Sequence, residues 1–248
     1  MCLILFAWRP GHAQPLIVAA NRDEFYARPA QSLSAWEDAP GVYAGRDLEA
    51  GGTWLGIGPG GRFAALTNIR DPRQPQGARS RGELVAAFLR GEMVVTTYLQ
   101  QVAERSSHYS GFNLLAGDGQ VLGYVNAHEA LPRLLQPGVY GLSNAALDTP
   151  WPKLLKARQA FAAALETPSA QYFLGILADD ATAPDEALPE TGVGLATERL
   201  LSSVFIASQT YGTRASTVLI VDDQGRRRMI ERSYGPFGGH LGEVEVSA

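Results

Sequence analysis

The sequence predicts an α+β protein in which largely antiparallel sheets are covered by helices. Three observations carry that reading. Short apolar runs come in pairs around residues with turn chemistry, the signature of β-hairpins. The hairpins fall at the start, the middle and the end of the chain. Stretches with helical spacing lie between them, grouped in two pairs. Hairpins impose antiparallel pairing. Two such sheets, each covered by a helix pair, make a four-layer αββα sandwich, although periodicity alone does not fix the number of layers.

The first hairpin organises the rest. Cys2-Leu3-Ile4-Leu5-Phe6-Ala7-Trp8 is followed by the turn Arg9-Pro10-Gly11-His12, and then by Leu16-Ile17-Val18-Ala19-Ala20 running into Asn21-Arg22-Asp23-Glu24. Proline and glycine punctuate the turn. Pairing of the two runs brings Cys2 beside the polar tetrad. Residues 31–52 interleave Ser, Pro, Gly, Asp and Glu and read as loop. Residues 53–57 and 63–68 flank Pro59-Gly60-Gly61 as a second hairpin, and residues 70–79 form a polar loop.

Ser80-Arg81-Gly82-Glu83 matches a capping box. The helix it opens carries Leu84, Val85, Phe88 and Leu89 and stops at Gly91. Residues 94–105 continue as a helix with Val95, Leu99 and Val102 on one face. Asp118-Gly119 between two apolar runs signals a third hairpin. Residues 139–144 form a short strand. Residues 152–166 and 170–179 form the second helix pair, with Leu154, Leu155, Arg158, Phe161 and Leu165 at helical spacing in the first. Residues 181–198 read as loop, 202–209 as a strand, and 217–222 with 227–232 as strands around Asp223-Gln224-Gly225. The tail from Gly235 is glycine-rich and reads as peripheral. No repeat or linker is visible, so residues 1–248 read as one domain.

Composition narrows the function. With 46% hydrophobic and 19% charged residues, the chain is an ordinary globular sequence. A net charge of −4 argues against nucleic-acid binding. The single cysteine excludes an internal disulfide framework and a Cys-rich metal site. No apolar stretch approaches the ~20 residues that span a bilayer, and no basic segment precedes the first apolar run. The expectation is a cytoplasmic protein without stable membrane insertion.

That cysteine sits at position 2. Removal of Met1 gives Cys2 a free α-amine. A free thiol has a pKa of about 8.5 and an α-amine about 7.7–8.0, so near neutrality the amine is able to take the thiol proton. Nucleophile and base then belong to one residue. Asp23 is placed to hold the ammonium and raise its basicity. Asn68 and Asn144 end apolar runs and supply amide donors for an oxyanion. Each of these residues also has a bland reading: cysteine is often a small buried hydrophobe, and Asn and Asp are common turn residues.

Together the residues resemble a family. Asn21-Arg22-Asp23-Glu24 is the motif that names the NRDE family, relatives of the transport and Golgi organisation protein 2. Met1-Cys2, Gly51-Gly52-Thr53-Trp54, Leu66-Thr67-Asn68, Leu142-Ser143-Asn144 and the run from Tyr211 to Thr217 are similar to its blocks. That family in turn resembles N-terminal nucleophile hydrolases of the choloylglycine hydrolase and acid ceramidase kind.

The resemblance implies an αββα fold and assigns roles by position. Cys2 matches the nucleophile, Asp23 the acid beside the amine, Asn68 the oxyanion donor, Asn144 the second asparagine, and Arg214 the late arginine. Where those hydrolases carry an arginine just before the acid-bearing turn, this chain has Ala20. Asn21, Arg22 and Trp54 are expected to bind substrate. The implied activity is hydrolysis of a non-peptide amide of an acylated small molecule, without a cofactor. The alternative is a non-catalytic carrier of haem or an acyl lipid or acyl-coenzyme A in the same cleft, with the thiolate as a candidate iron ligand. His12, His108, His128 and His240 are scattered without ligand spacing. Arg226-Arg227-Arg228 reads as a solvated face.

Overall fold

In a computed structural model, which describes residues 2–248, the first hairpin is buried on both faces. Its strands are Cys2–Trp8 (β1) and Leu16–Phe25 (β2), paired antiparallel with Cys2 opposite Arg22 and Trp8 opposite Leu16. A near-continuous apolar run suits a strand with no solvent face. One side of the hairpin meets a second sheet and the other meets helices.

The remaining elements are β3 (Ala30–Ala35), β4 (Tyr43–Asp47), β5 (Leu55–Ile57), β6 (Phe63–Asn68), α1 (Gly82–Arg90), α2 (Val95–Glu104), β7 (Phe112–Gly117), β8 (Leu122–Asn126), β9 (Arg133–Leu134), β10 (Gly138–Leu142), α3 (Pro152–Ala164), α4 (Ala170–Leu177), α5 (Leu195–Leu200), β11 (Tyr211–Val221), β12 (Arg227–Tyr234) and β13 (His240–Ser247). They form a six-stranded sheet ordered β10-β1-β2-β11-β12-β13 and a seven-stranded sheet in sequential order from β3 to β9.

Strand alternation sorts the side chains into layers. Ile4, Phe6 and Val18 face the second sheet and pack with Ile57, Ala65, Leu115 and Tyr124. Leu3, Leu5, Ile17 and Ala19 face outward and are covered by Leu154, Phe161, Phe173 and Leu174 of α3 and α4. On the far side, Val85, Phe88 and Leu89 of α1 and Leu99 and Val102 of α2 cover Ala64, Leu66 and Leu114. The order of layers is therefore αββα.

Six sequence expectations are corrected. Residues 31–52 contain β3 and β4, whose alternation is masked because β3 buries only Leu33 and β4 only Ala44. Residues 202–209 form no strand. Val204 is buried in the α3–α4 layer and Phe205 N donates to Asp179 O (2.8 Å), so the apolar run is covered, and its pairing is limited to an isolated bridge between Ala207 and Gly212. The expected loop over 181–198 gives way at its end to α5, Leu195–Leu200. The tail from Gly235 contains β13, an edge strand held to β12 by Arg228–Glu245 and Arg232–Glu243 ion pairs. No capping box forms. Arg81, with helical dihedrals, precedes α1, while Glu83 pairs with Arg79 and accepts from Tyr109 Oη. The solvated-face reading of Arg226–Arg228 also fails at Arg227, whose guanidinium reaches the Gly58 carbonyl of the other sheet.

The start of α1 is pinned by glycine. A Cβ on Gly52 would lie 2.4 Å from the Gly82 carbonyl carbon, so the Gly51-Gly52 loop reaches the helix only without a side chain. Thr53 N donates to Gly82 O across this contact (3.2 Å). Among the described residues no helix is long and apolar enough to cross a membrane.

Candidate active site

The site lies where β1 begins and β2 ends. Residues opposite each other in an antiparallel pair share a face, so Cys2 and Arg22 point between the sheets while Asn21 and Asp23 point toward the helices. Cys2 is 6% exposed, and the peptide N–H of Asp23 donates to its sulfur. Cys2 O accepts from Ser143 Oγ at 3.1 Å, fixing the strand start against the end of β10. Met1, expected to be removed, lies outside the described residues.

Asp23 is held from the neighbouring strand. β11 begins at Tyr211, six residues before the sequence-predicted start, and so places Thr213 opposite Asp23. Thr213 Oγ1 donates to Asp23 Oδ1 at 2.7 Å and accepts from Ile206 N at 2.9 Å. A bulge between Thr213 and Ala215 turns Arg214 to the cleft rim, where its guanidinium donates to the carbonyls of Phe25 and Arg28.

Cys2, Arg22, Asp23, Trp54, Asn68 and Arg214 line one cleft of about 680 Å³. Asn144 and Asn21 do not. Asn144 is fully buried, and its Nδ2 donates to the backbone carbonyl of Asn68 (2.8 Å). Its own carbonyl accepts from Arg70 N (2.7 Å). It therefore fixes the end of β6 rather than facing the cleft. Asn21 donates to Leu177 O (2.9 Å) and Val204 O (2.8 Å) and accepts from Ser216 Oγ (2.6 Å). Strand alternation puts it under α4, so it staples the helix layer to the sheet and is not a substrate contact.

Burial dominates the electrostatics. It pushes the Cys2 thiol up, and the Asp23 charge adds to that, while Arg22 opposes it. Burial also pushes the Asp23 carboxyl up, against the charge of Lys153, the Thr213 hydrogen bond and the charge of Arg70. Neither cation was anticipated from sequence. Arg70 Nη1 lies 2.5 Å from Glu198 Oε2, with both side chains almost wholly buried, and its guanidinium stacks 4.5 Å above Trp151. Lys153 is the second residue of α3 and is 4% exposed. A charge after a strand end or in the first turn of a helix ordinarily reads as solvated, and only the packing of α3 on the sheet and the placement of Glu198 and Trp151 against Arg70 reveal these two as buried.

The family model for Transport and Golgi organisation 2 matches residues 1–236. The chain belongs to that family. The Bos taurus Transport and Golgi organization protein 2 homolog is 42% identical over 256 residues, covering 94% of this chain and 93% of the relative. The Homo sapiens homolog is 40% identical over 257 residues with the same coverage. Among solved structures the fold is similar to the Clostridium perfringens conjugated bile acid hydrolase, solved as a C2A mutant, with a TM-score of 0.56 at 8% identity, covering 99% of this chain and 92% of that one. It is also similar to the Caenorhabditis elegans ortholog of N-acylethanolamine-hydrolyzing acid amidase, with a TM-score of 0.51 at 13% identity, covering 88% and 92%. The αββα sandwich of this Transport and Golgi organisation 2 family member is thus the N-terminal nucleophile hydrolase fold.

The departure at Ala20 has a structural counterpart. Ala20 is fully buried between the sheets, opposite Ile4 and Thr217, with no room for a guanidinium. The cations acting on Asp23 come instead from the helix side, on Lys153 and beside Glu198 on Arg70.

Proposed function

We propose that this protein is an N-terminal cysteine hydrolase that cleaves the C–N bond of a non-peptide acyl amide. Loss of Met1 frees the Cys2 amine, which takes the thiol proton. The thiolate attacks the acyl carbon, and Asn68 donates to the oxyanion that forms. The amine returns the proton to the departing nitrogen as the C–N bond breaks, leaving a thioester on Cys2. Water then attacks the thioester, its proton passing to the amine, and the carboxylic acid leaves as the thiol is restored. Asp23 orients the amine throughout. The scheme uses no metal or cofactor.

The observation that carries this reading is the convergence of Cys2, Asp23 and Asn68 on one cleft, with Thr213 fixing the carboxylate from behind. The fold shared with an acid amidase and a bile acid hydrolase supports it. The cleft rim suggests the character of the substrate. Arg28, Arg46 and Arg79 on that rim are paired with Asp47, Asp38 and Glu83, whereas Arg22, Arg81 and Arg214 have no ion pair among the described residues. An amide bearing a carboxylate would complement them.

The test is covalent trapping. After incubation with a panel of acyl amides and thioesters, intact-mass analysis should find one acyl group on the processed protein and none on Cys2→Ala. Asn68→Ala should acylate about a hundredfold more slowly or worse, because an oxyanion donor acts only as charge develops. Binding of haem or of an acyl lipid with no adduct in any arm would instead support the carrier reading.

A further inference from the structure

On the helix side of the sheet four ionisable side chains are buried, Asp23, Arg70, Glu198 and Lys153, and their charges act on one another. Arg70 and Glu198 cancel each other through their 2.5 Å ion pair. That leaves the Asp23 carboxylate and the Lys153 ammonium. Lys153 Nζ has no hydrogen-bond partner among the described residues, although it is shielded from water. An unpartnered buried ammonium is costly and needs a compensating charge nearby. The charges that act on it are those of Asp23, Arg70, Cys2 and Glu198, and burial brings its pKa down to about 8, so it is mostly protonated at neutral pH.

We propose that Lys153 is a positioning residue: its buried charge balances Asp23, so that the α-amine released on Cys2 stays unprotonated and free to take the thiol proton. This inference rests on the hydrolase reading of the same site. Without Lys153 the cations left to act on Asp23 among the described residues would be Arg70, already paired with Glu198, and the ammonium on Cys2. The carboxylate would hold that ammonium, and the amine would cease to be a base near neutrality. With Lys153 charged, the four-residue cluster sums to zero. A second ammonium beside it is then disfavoured by like-charge repulsion.

The other groups facing this point do not change the sum. Tyr26 and Tyr211 are held neutral, since burial and the Asp23 charge push both phenols up. Arg22, Glu24 and Arg81 lie along the cleft, outside the four-residue cluster, and their charges are the same in every variant compared below. No bond changes at Lys153. One proton moves from the Cys2 sulfur to the Cys2 nitrogen.

The test needs no substrate. The protein holds one cysteine, so its alkylation by iodoacetamide, followed by intact mass, reports the Cys2 thiolate alone. Nitrogen-15 labelling of cysteine reports the amine titration by NMR in the same Met-free protein. Lys153→Met should raise the amine titration by about one pH unit or more and move the alkylation profile with it. Glu198→Gln removes a negative charge from the same cluster and should shift the titration the opposite way. Lys153→Arg, which keeps the charge, should titrate near wild type. A lysine that serves only packing would move melting temperature and leave the amine in place. An unshifted amine in Lys153→Met overturns the inference. If that variant does not fold, absence of a downward shift in Glu198→Gln overturns it. Acyl trapping on Cys2 stands apart from this readout. A shifted amine without any adduct retains the Lys153 role and removes the hydrolase, whereas an adduct without a shift does the reverse.

Discussion

Lys153 illustrates how one residue separates stability from function. Its ordinary value of 10.5 falls to about 8 because burial penalises the charged form. Below pH ~8 the lysine is protonated in both folded and unfolded chains, and the full cost of burying the charge is present. Between the two values the unfolded chain binds more protons, so stability rises with pH. Above the higher value the cost is gone. Lys153→Met should therefore stabilise the protein near pH 7 by about 1–3 kcal/mol, with the gain shrinking as pH rises toward 10.5. Urea unfolding of both proteins at neutral and at alkaline pH checks this, and a variant less stable at neutral pH contradicts it. Asp23 was legible in the sequence because a strand ending in an acid beside a paired cysteine is a local pattern. Lys153 and Arg70 were not, because what covers them is the packing of α3 on the sheet and the approach of Trp151 and Glu198 from distant parts of the chain, which no local pattern states.

Among the elements, β2 shows how far a motif alone carries. The tetrad from Asn21 to Glu24 reads as one polar patch, yet period-two alternation divides it between two faces. Arg22 reaches the cleft with Cys2, and Asn21 reaches the helix layer, where it joins α4, the Val204 segment and β11. Asn21→Ala would strand two buried carbonyls and one hydroxyl. It should cost on the order of 3 kcal/mol and leave the acylation rate of the folded fraction unchanged. Thermal unfolding together with single-turnover acylation checks both halves, and a stable but slow variant would return Asn21 to the cleft. The remaining element-level differences have a common cause. β3, β4 and β13 are short or edge strands with polar outer faces, so alternation is weak. The segment around Val204 is apolar without being a strand because a helix layer covers it.

At the scale of the whole molecule, hairpin pairing predicts antiparallel sheets, but the number of layers came only from resemblance. The physical signal for four layers is that β1 is buried on both faces, with Leu3 and Leu5 under helices and Ile4 and Phe6 against the second sheet. A long apolar run is equally compatible with other buried arrangements, which is why sequence alone stops short. The layered fold puts Cys2, the first residue of β1, on the inter-sheet cleft, and this makes it the centre of the account. Intact-mass analysis of natively expressed protein after exposure to a reactive acyl amide tests that centre most directly. The account predicts that Met1 is absent and that one acyl group sits on Cys2 of the Met-free species, with unprocessed protein made in parallel remaining unmodified. Methionine retained on every natively expressed molecule, or Met-free protein that takes no acyl group from any member of the panel, would contradict it.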